Sequence, residues 1–351
     1  MTGPQAAPTG VVRAALIGLG SIGVEVARAL DARPGVLLLG GADPARAGED
    51  LMALLRGGVP AGGAGMPISA QGAELYARSQ ATRGRGDVAV ICTSSRLDVA
   101  AAQIEEAVDA GLHVVSTCEE LAFPYLRHPR LAQKLDALAR EQGVTVLGTG
   151  VNPGLVMDRL ALAVASACVR VDRIRVERVV DAARRRDPLR AKVGAGLAVE
   201  ELRAGVAARR LGHVGLGESA AMVARGMRVP LDEVTETIEP VVAAAGTGAI
   251  PAGRVLGLRQ TARAISGGQT VVELELEMSV GARDPHDRIA VDGDPPVDVL
   301  IRGGFQGDRA TVGAVVNAIP YVVSGPRGLR TVISLPLFGL FPIRDLRDLE
   351  T

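Results

Sequence analysis

Three closely spaced glycines near the N-terminus could bring the main chain against a charged ligand. Gly18, Gly20 and Gly23 follow the spacing G-x-G-x-x-G, between the apolar run Val11–Ile17 and a stretch that favours a helix. The first glycine permits a tight turn, the second lets the backbone approach a pyrophosphate, and the third lets helix and strand pack closely. The helix N-terminus adds free N–H groups and a partial positive charge. The pattern predicts dinucleotide binding, with an ordinary glycine-rich turn as the alternative. The predicted contacts are Gly18, Gly20, Ser21, Ile22 and Gly23.

An acidic residue and an arginine follow the next predicted strand, about twenty residues after the glycines. The carboxylate of Asp43 favours hydrogen bonding to the ribose 2′-OH of NAD and repels the 2′-phosphate of NADP. Arg46, close behind it, could offset that repulsion. We therefore predict NAD or NADP as the cofactor, with both residues in its site.

Polar side chains follow two later strands of the same predicted sheet. Thr93, Ser94 and Ser95 could bond the phosphate, ribose or nicotinamide amide of the cofactor, or could cap the helix that follows. A carboxylate from Glu119 or Glu120, beside a nicotinamide, would bind a substrate ammonium and could accept its proton. The alternative for this pair is a helix start or a solvated acidic surface.

Four residues further along the chain are candidates for binding the substrate. Asn152 precedes Pro153 and is a turn residue by default, but its amide could hold the nicotinamide or the substrate. Arg190 and Lys192 could bind a carboxylate or belong to a solvated loop. His213 could donate a hydrogen bond to the substrate or lie in a turn.

The composition excludes several other functions. Lysine plus arginine and aspartate plus glutamate number 39 each, so no basic excess favours nucleic acid. Aromatic residues are few, and no apolar stretch reaches the roughly 18 residues of a membrane span. Histidines and cysteines lack metal-ligand spacing, so no metal site is predicted. The odd cysteine count is typical of a reducing compartment, and we expect a cytoplasmic protein. The polar start Met1–Gly10 predicts a disordered lead-in.

The elements that position these residues alternate between strand and helix in the first half of the chain. This alternation predicts an α/β fold with a Rossmann-type doubly wound parallel sheet. The predicted strands are Val11–Ile17, Val36–Gly40, Asp87–Cys92, His113–Ser116 and Val144–Gly148. The predicted helices are Ile22–Ala32, Leu97–Ala110 and Leu126–Gln142. Gly57–Gly65 is rich in glycine and predicts a loop.

The second half of the chain has the pattern of a sheet covered by helices. We predict a dinucleotide-binding domain over residues 11–150, an α+β domain for substrate binding and oligomerisation over 151–307, and a C-terminal helix and strand over 308–335 that pack on the first domain. The predicted strands are Arg170–Val180, Val255–Ala264, Thr270–Val280, Arg288–Val291 and Val297–Arg302. The predicted helices are Val199–Ala208, Glu218–Arg225 and Asp308–Val323.

Several short motifs, taken in order, resemble one enzyme family over residues 12 to 335. The chain is similar to the 2,4-diaminopentanoate dehydrogenases and related NAD(P)-dependent amine dehydrogenases, whose first domain is like that of dihydrodipicolinate reductase. The arginine-rich stretch Arg184–Asp187 has no counterpart in this resemblance. The motifs that carry it are Ser116–Leu121, Gly148–Gly154, Lys192–Gly196, Gly212–Ser219, Gly257–Gln260, Gly303–Asp308 and Val316–Pro320.

The resemblance implies oxidative deamination of a small amine or amino acid, and the reverse reductive amination, with NAD or NADP. It implies an active-site glutamate, which we assign to Glu119 with Glu120 as the alternative. It also places Asn317 at the cofactor, and a homodimer or homotetramer is expected by analogy.

Two other functions remain open at this point. The scaffold could reduce an imine or a carbonyl, or it could bind a dinucleotide as a sensor without catalysis. Dihydrodipicolinate reductases carry a paired-histidine segment and a lysine-containing loop, whereas His213 stands alone here, which argues against their reaction.

Overall fold

A computed structural model describes residues 11–58, 65–83, 86–184 and 187–341 of the chain. The first of two units contains the described residues up to Val151 and from Gly307 onwards, and the second spans Asn152–Gln306. The predictions for Met1–Gly10, for most of Gly57–Gly65 and for Arg185 and Arg186 lie outside the described residues.

Strands and helices alternate through the described part of the first unit, and longer strands dominate the second. The strands are β1 (Val12–Ile17), β2 (Val36–Ala42), β3 (Val88–Ile91), β4 (His113–Ser116), β5 (Thr145–Gly148), β6 (Arg170–Asp181), β7 (Glu233–Val242), β8 (Val255–Ser266), β9 (Gln269–Ser279), β10 (His286–Asp294), β11 (Val297–Arg302) and β12 (Gly328–Arg330). The helices are α1 (Ser21–Asp31), α2 (Leu51–Leu55), α3 (Gly72–Arg83), α4 (Leu97–Asp109), α5 (Pro129–Glu141), α6 (Arg159–Ala165), α7 (Asp187–Lys192), α8 (Val199–Ala207), α9 (Leu216–Gly226) and α10 (Gly307–Val323).

The first unit is built on a six-stranded sheet in the order β12-β5-β4-β3-β1-β2, and every neighbouring pair is parallel. Every residue of β3, β4 and β5 is buried, because helices cover both faces of the sheet. The doubly wound α/β fold predicted from the sequence is confirmed. The strand order reverses between β1 and β3, and ligands of such sheets bind beyond the carboxyl ends of the strands at this point.

The sequence analysis did not predict α2 or α3 in this unit. Helix α3 carries polar side chains along most of its length, so it lacks the apolar stripe from which a helix is recognised. Its first residues nevertheless matter for the site, since Gly72 lies close to β1 and α4.

The second unit is built on a mixed six-stranded sheet in the order β11-β10-β6-β9-β8-β7. Strands β6 and β9 are parallel, and the other pairs are antiparallel. Helix α9, buried along most of its length, packs on β7, β8 and β9. Strand β7 was not predicted, because Pro240 and five glutamate or threonine residues weaken its apolar pattern. Its position at the edge of the sheet tolerates the proline.

Candidate functional site

The three glycines of the N-terminal turn have three different local environments. Gly18 has a φ of +85°, and a Cβ there would lie 2.7 Å from the Thr93 side chain. A Cβ on Gly23 would lie 1.9 Å from the carbonyl oxygen of Gly18, so helix α1 can approach β1 only with glycine at this position. A Cβ on Gly20 would meet no described atom within 4 Å. Gly20 therefore borders open space at the start of α1, where a phosphate group would fit.

Asp43 and Arg46 both hold the backbone of this turn. The Asp43 carboxylate accepts hydrogen bonds from the N–H groups of Leu19 at 2.8 Å and Ala45 at 2.9 Å. Arg46 Nε donates to the Leu19 carbonyl at 3.1 Å, and its Nη1 donates to Glu49 at 3.0 Å. The acidic residue predicted at the ribose is thus fixed beside the glycine turn.

A groove with a volume of about 600 Å³ runs from the glycine turn along the carboxyl edge of the sheet. Of the predicted cofactor residues, Gly18, Gly20, Asp43 and Thr93 line it. Its lining residues are Ile17, Gly18, Gly20, Ala42, Asp43, Pro44, Ala70, Gln71, Gly72, Cys92, Thr93, Gln103 and Glu106.

Three other predicted cofactor residues have different partners in the structure. Ser94 Oγ accepts the N–H of Arg96, the residue that precedes α4, at 3.1 Å. The Ser95 carbonyl accepts the N–H of Glu120 at 3.2 Å. Asn317 Oδ1, on α10, accepts the N–H of Phe341 at 2.9 Å. None of these three residues is among the described residues that line the groove.

The two glutamates after β4 lie in one 3₁₀ turn, Glu119–Ala122, but their environments differ. Glu120 is buried, and its Oε2 accepts both the N–H of Leu97 at 2.8 Å and a hydrogen bond from His128 Nε2 at 2.8 Å. Glu120 thereby joins the turn to the first residue of α4 and to the residue that precedes α5. Glu119 is only partly buried. These contacts hold the Glu120 side chain in place, and the assignment of the acid–base role to Glu119 or Glu120 stays a prediction.

A polar cluster in the second unit contains three of the predicted substrate residues. Asn152 Nδ2 donates to His213 Nε2 at 3.2 Å and to Met157 Sδ at 3.2 Å. Burial, the largest cause, and the positive charges of Lys192 and Arg178 together lower the pKa of His213 to about 3. His213 is therefore neutral, and because its Nε2 accepts from Asn152, its proton is on Nδ1.

The backbone of His213 is fixed by a buried glutamine. Gln260 Oε1 accepts the N–H of His213 at 2.9 Å, and Gln260 Nε2 donates to the His213 carbonyl at 2.8 Å. The same amide donates to the Glu236 carboxylate. Lys192 ends α7, and its carbonyl accepts the N–H of Gly212 at 3.2 Å, which ties α7 to the histidine segment. Arg190 is partly buried on α7, two residues before Lys192.

Asp158 is a fully buried carboxylate that supports Asn152 through a serine. It accepts the N–H groups of Gly154 at 2.8 Å and Arg159 at 2.6 Å, and the hydroxyl of Ser219 at 2.8 Å. Ser219 Oγ also lies 3.4 Å from Asn152 Oδ1. Burial raises the pKa of Asp158, and these hydrogen bonds oppose that rise.

Sequence reasoning missed several residues that the structure brings to these places. Ser219 and Gln260 lie within motifs that carried the family resemblance, so their importance could have been inferred from those motifs. Asp158, His128, Gln103 and Glu106 had no signal of this kind. In the described part of the chain, no group of three or more histidine, cysteine or acidic side chains could hold a metal ion, and no helix is long and apolar enough to span a bilayer.

The sequence and fold are similar to those of known amine dehydrogenases. The family described as the C-terminal domain of 2,4-diaminopentanoate dehydrogenase matches residues 155–347, more than half of the chain. The 2,4-diaminopentanoate dehydrogenase of Acetoanaerobium sticklandii is 32% identical over 278 residues, which cover 76% of this chain and 78% of that protein. An amine dehydrogenase of Streptomyces virginiae is 25% identical, over 91% of this chain and 95% of that protein.

A solved structure has the same fold along nearly the whole chain. The amine dehydrogenase from Mycobacterium smegmatis superposes with a TM-score of 0.82 at 24% identity, over 97% of this chain and 100% of that one. Together with the sequence matches, this result confirms the family that the motifs suggested. The chain belongs to the 2,4-diaminopentanoate dehydrogenase family.

Proposed function

We propose that this protein is an NAD(P)-dependent dehydrogenase that oxidatively deaminates a small amine or amino acid and catalyses the reverse reductive amination. The amine, water and oxidised cofactor give a carbonyl compound, ammonium and reduced cofactor. The observation that carries the proposal is the division of roles between two adjacent carboxylates at the sheet edge. Glu120 is held by Leu97 and His128, whereas Glu119 is partly exposed in the same turn.

The glycine turn and its groove fit a dinucleotide. Gly20 borders open space at the N-terminus of α1, and no side chain caps that helix end. A helix N-terminus without a side-chain cap binds phosphate oxygens through its first N–H groups. Asp43 would hold the adenosine ribose, and Thr93 lines the groove on its other side. When bound, the nicotinamide supplies the acceptor for the hydride of the amine carbon.

Glu119 would remove the proton that blocks oxidation of an ammonium substrate. Hydride can leave the carbon only if the nitrogen lone pair is free to form the C=N bond. A carboxylate next to the nitrogen accepts that proton, and in the reverse direction it stabilises the iminium cation.

The polar cluster of the second unit supports a substrate that carries a carboxylate. The positive charge of Lys192 acts on this cluster, and the neutral His213 has an Nδ1–H group to donate. Both features would stabilise a bound substrate carboxylate. We therefore favour an amino acid or diamino acid, such as 2,4-diaminopentanoate, over a simple alkylamine. The homo-oligomer and the cytoplasmic location stay predictions.

Exchange of each glutamate for glutamine tests the assignment. Glu119→Gln should lower turnover by two or more orders of magnitude, the range of a general base, without changing cofactor affinity. Glu120→Gln is the matched control and should lose far less turnover, because an amide oxygen can still accept a hydrogen bond from the Leu97 N–H. Cofactor reduction is followed with amino acids, diamino acids and alkylamines.

Four results would contradict the proposal. Wild-type-like turnover in Glu119→Gln would remove its role, and a severe loss confined to Glu120→Gln would transfer the role to that residue. Oxidation of reduced cofactor by imines or ketones without ammonia would favour the reductase alternative. Cofactor binding without turnover on any substrate of the panel would favour a sensor.

A further inference from the structure

Helix α4 presents two polar side chains to the groove that starts at the glycine turn. Gln103 and Glu106 both line this groove. Because they are three residues apart on a helix, their side chains lie on the same face, one above the other. Neither residue belongs to the glycine turn or to the glutamate pair.

Gln103 is oriented so that its amide can donate. The hydroxyl of Thr93, directly after β3, donates to Gln103 Oε1 at 2.5 Å. This bond fixes the amide plane and occupies the oxygen. The two hydrogens on Nε2 remain as donors for a ligand in the groove.

Glu106 provides an acceptor next to that donor. Its Oε1 lies so close to the first residue of α3 that a Cβ on Gly72 would be only 2.4 Å away. Within the described residues, no hydrogen bond or ion pair engages the Glu106 carboxylate. Its negative charge adds to the effect of burial, which raises the pKa of the Tyr76 hydroxyl. A partly buried carboxylate in this position favours a ligand that brings N–H groups.

We propose that Gln103 and Glu106 recognise the Watson–Crick edge of the adenine ring of the bound dinucleotide, and so select adenine over other bases. Adenine presents an acceptor, N1, beside a donor, the N6 amino group, which complements a donor and an acceptor in that order. The small apolar side chains of Ala42, Pro44 and Ala70 line the same groove and suit the faces of a base. The inference depends on the dinucleotide site of the proposed function.

Hypoxanthine provides the test, because its edge carries the opposite pattern. In nicotinamide hypoxanthine dinucleotide, N1–H is a donor and the carbonyl oxygen at position 6 is an acceptor. Against Gln103 and Glu106 this edge pairs donor with donor and acceptor with acceptor. Calorimetric titration without substrate should give wild-type protein an affinity for NAD at least about tenfold higher than for the hypoxanthine analogue.

Two variants on the same helix sharpen the measurement. Glu106→Gln should reduce the preference to less than about threefold, since an amide can donate to the hypoxanthine carbonyl as well as accept from adenine. Glu105→Gln is the matched control, because Glu105 is bound to Lys134 at 2.6 Å and does not line the groove. Glu105→Gln should keep the wild-type ratio between the affinities for NAD and for the hypoxanthine analogue. Thermal unfolding of each variant confirms that it is folded.

Equal wild-type affinities for the two dinucleotides would overturn this inference and leave the amine dehydrogenase proposal intact. A full preference retained in Glu106→Gln, or an equal loss of preference in Glu105→Gln, would also overturn it. Failure of the wild-type protein to bind either NAD or NADP would instead overturn the dinucleotide site itself, and with it both proposals.

Discussion

At the scale of single residues, Gly20 and Gly23 separate ligand binding from folding. Gly20→Val should lower NAD affinity at least about tenfold with little change in thermal stability, because its Cβ meets no described atom. Gly23→Val should lower the unfolding temperature instead, because its Cβ would lie 1.9 Å from the Gly18 carbonyl oxygen. Titration calorimetry and thermal unfolding measure the two effects. Wild-type affinity in Gly20→Val would contradict the assignment of the pyrophosphate to this turn.

At the scale of elements, one buried ion pair holds the end of the second unit. Arg178 on β6 and Asp287 on β10 are paired across the strands at 2.6 Å, and both bind the backbone of Phe305. Asp287→Asn removes the carboxylate charge that is paired with this buried guanidinium, so it should cost about 3–5 kcal/mol of unfolding free energy. Asp298→Asn, which breaks the exposed pair with Arg288, should change stability little. Urea unfolding measures the loss of stability in both variants. Equal losses would contradict the larger contribution expected from the buried pair.

At the scale of the whole molecule, acid should destabilise the protein through His213. Its pKa is about 3 in the folded protein, whereas its ordinary value is 6.5. Between these values the unfolded chain binds a proton that the folded protein excludes, so the free energy of unfolding falls as pH falls. The slope from one proton is at most about 1.4 kcal/mol per pH unit. His213→Gln should therefore lose less stability than wild type between about pH 6.5 and pH 4.5 in urea unfolding. Identical losses would show that His213 is not the group responsible.

The features of the fold that depend on local sequence pattern could be predicted from the sequence alone. The glycine spacing of the N-terminal turn can be read from the sequence, and β3 is recognisable because a strand covered on both faces is apolar throughout. The alternation of strands and helices then limits the topology to a doubly wound sheet. Weak local patterns were missed, such as β7 at the edge of the second sheet and the polar helix α3.

The contacts that distinguish neighbouring polar residues depend on tertiary packing and could not be predicted from the sequence. Glu119 and Glu120 are equivalent in sequence, and they differ because α4 and the segment before α5 bring Leu97 and His128 to one carboxylate only. Asn152 and His213 are 61 residues apart and meet through the packing of the second unit. Ser94 and Asn317, predicted at the cofactor, have backbone partners elsewhere, whereas Glu106 faces the groove without any sequence signal. The physical reason is common to all of them, because a polar side chain acts through the partners that the fold brings to it.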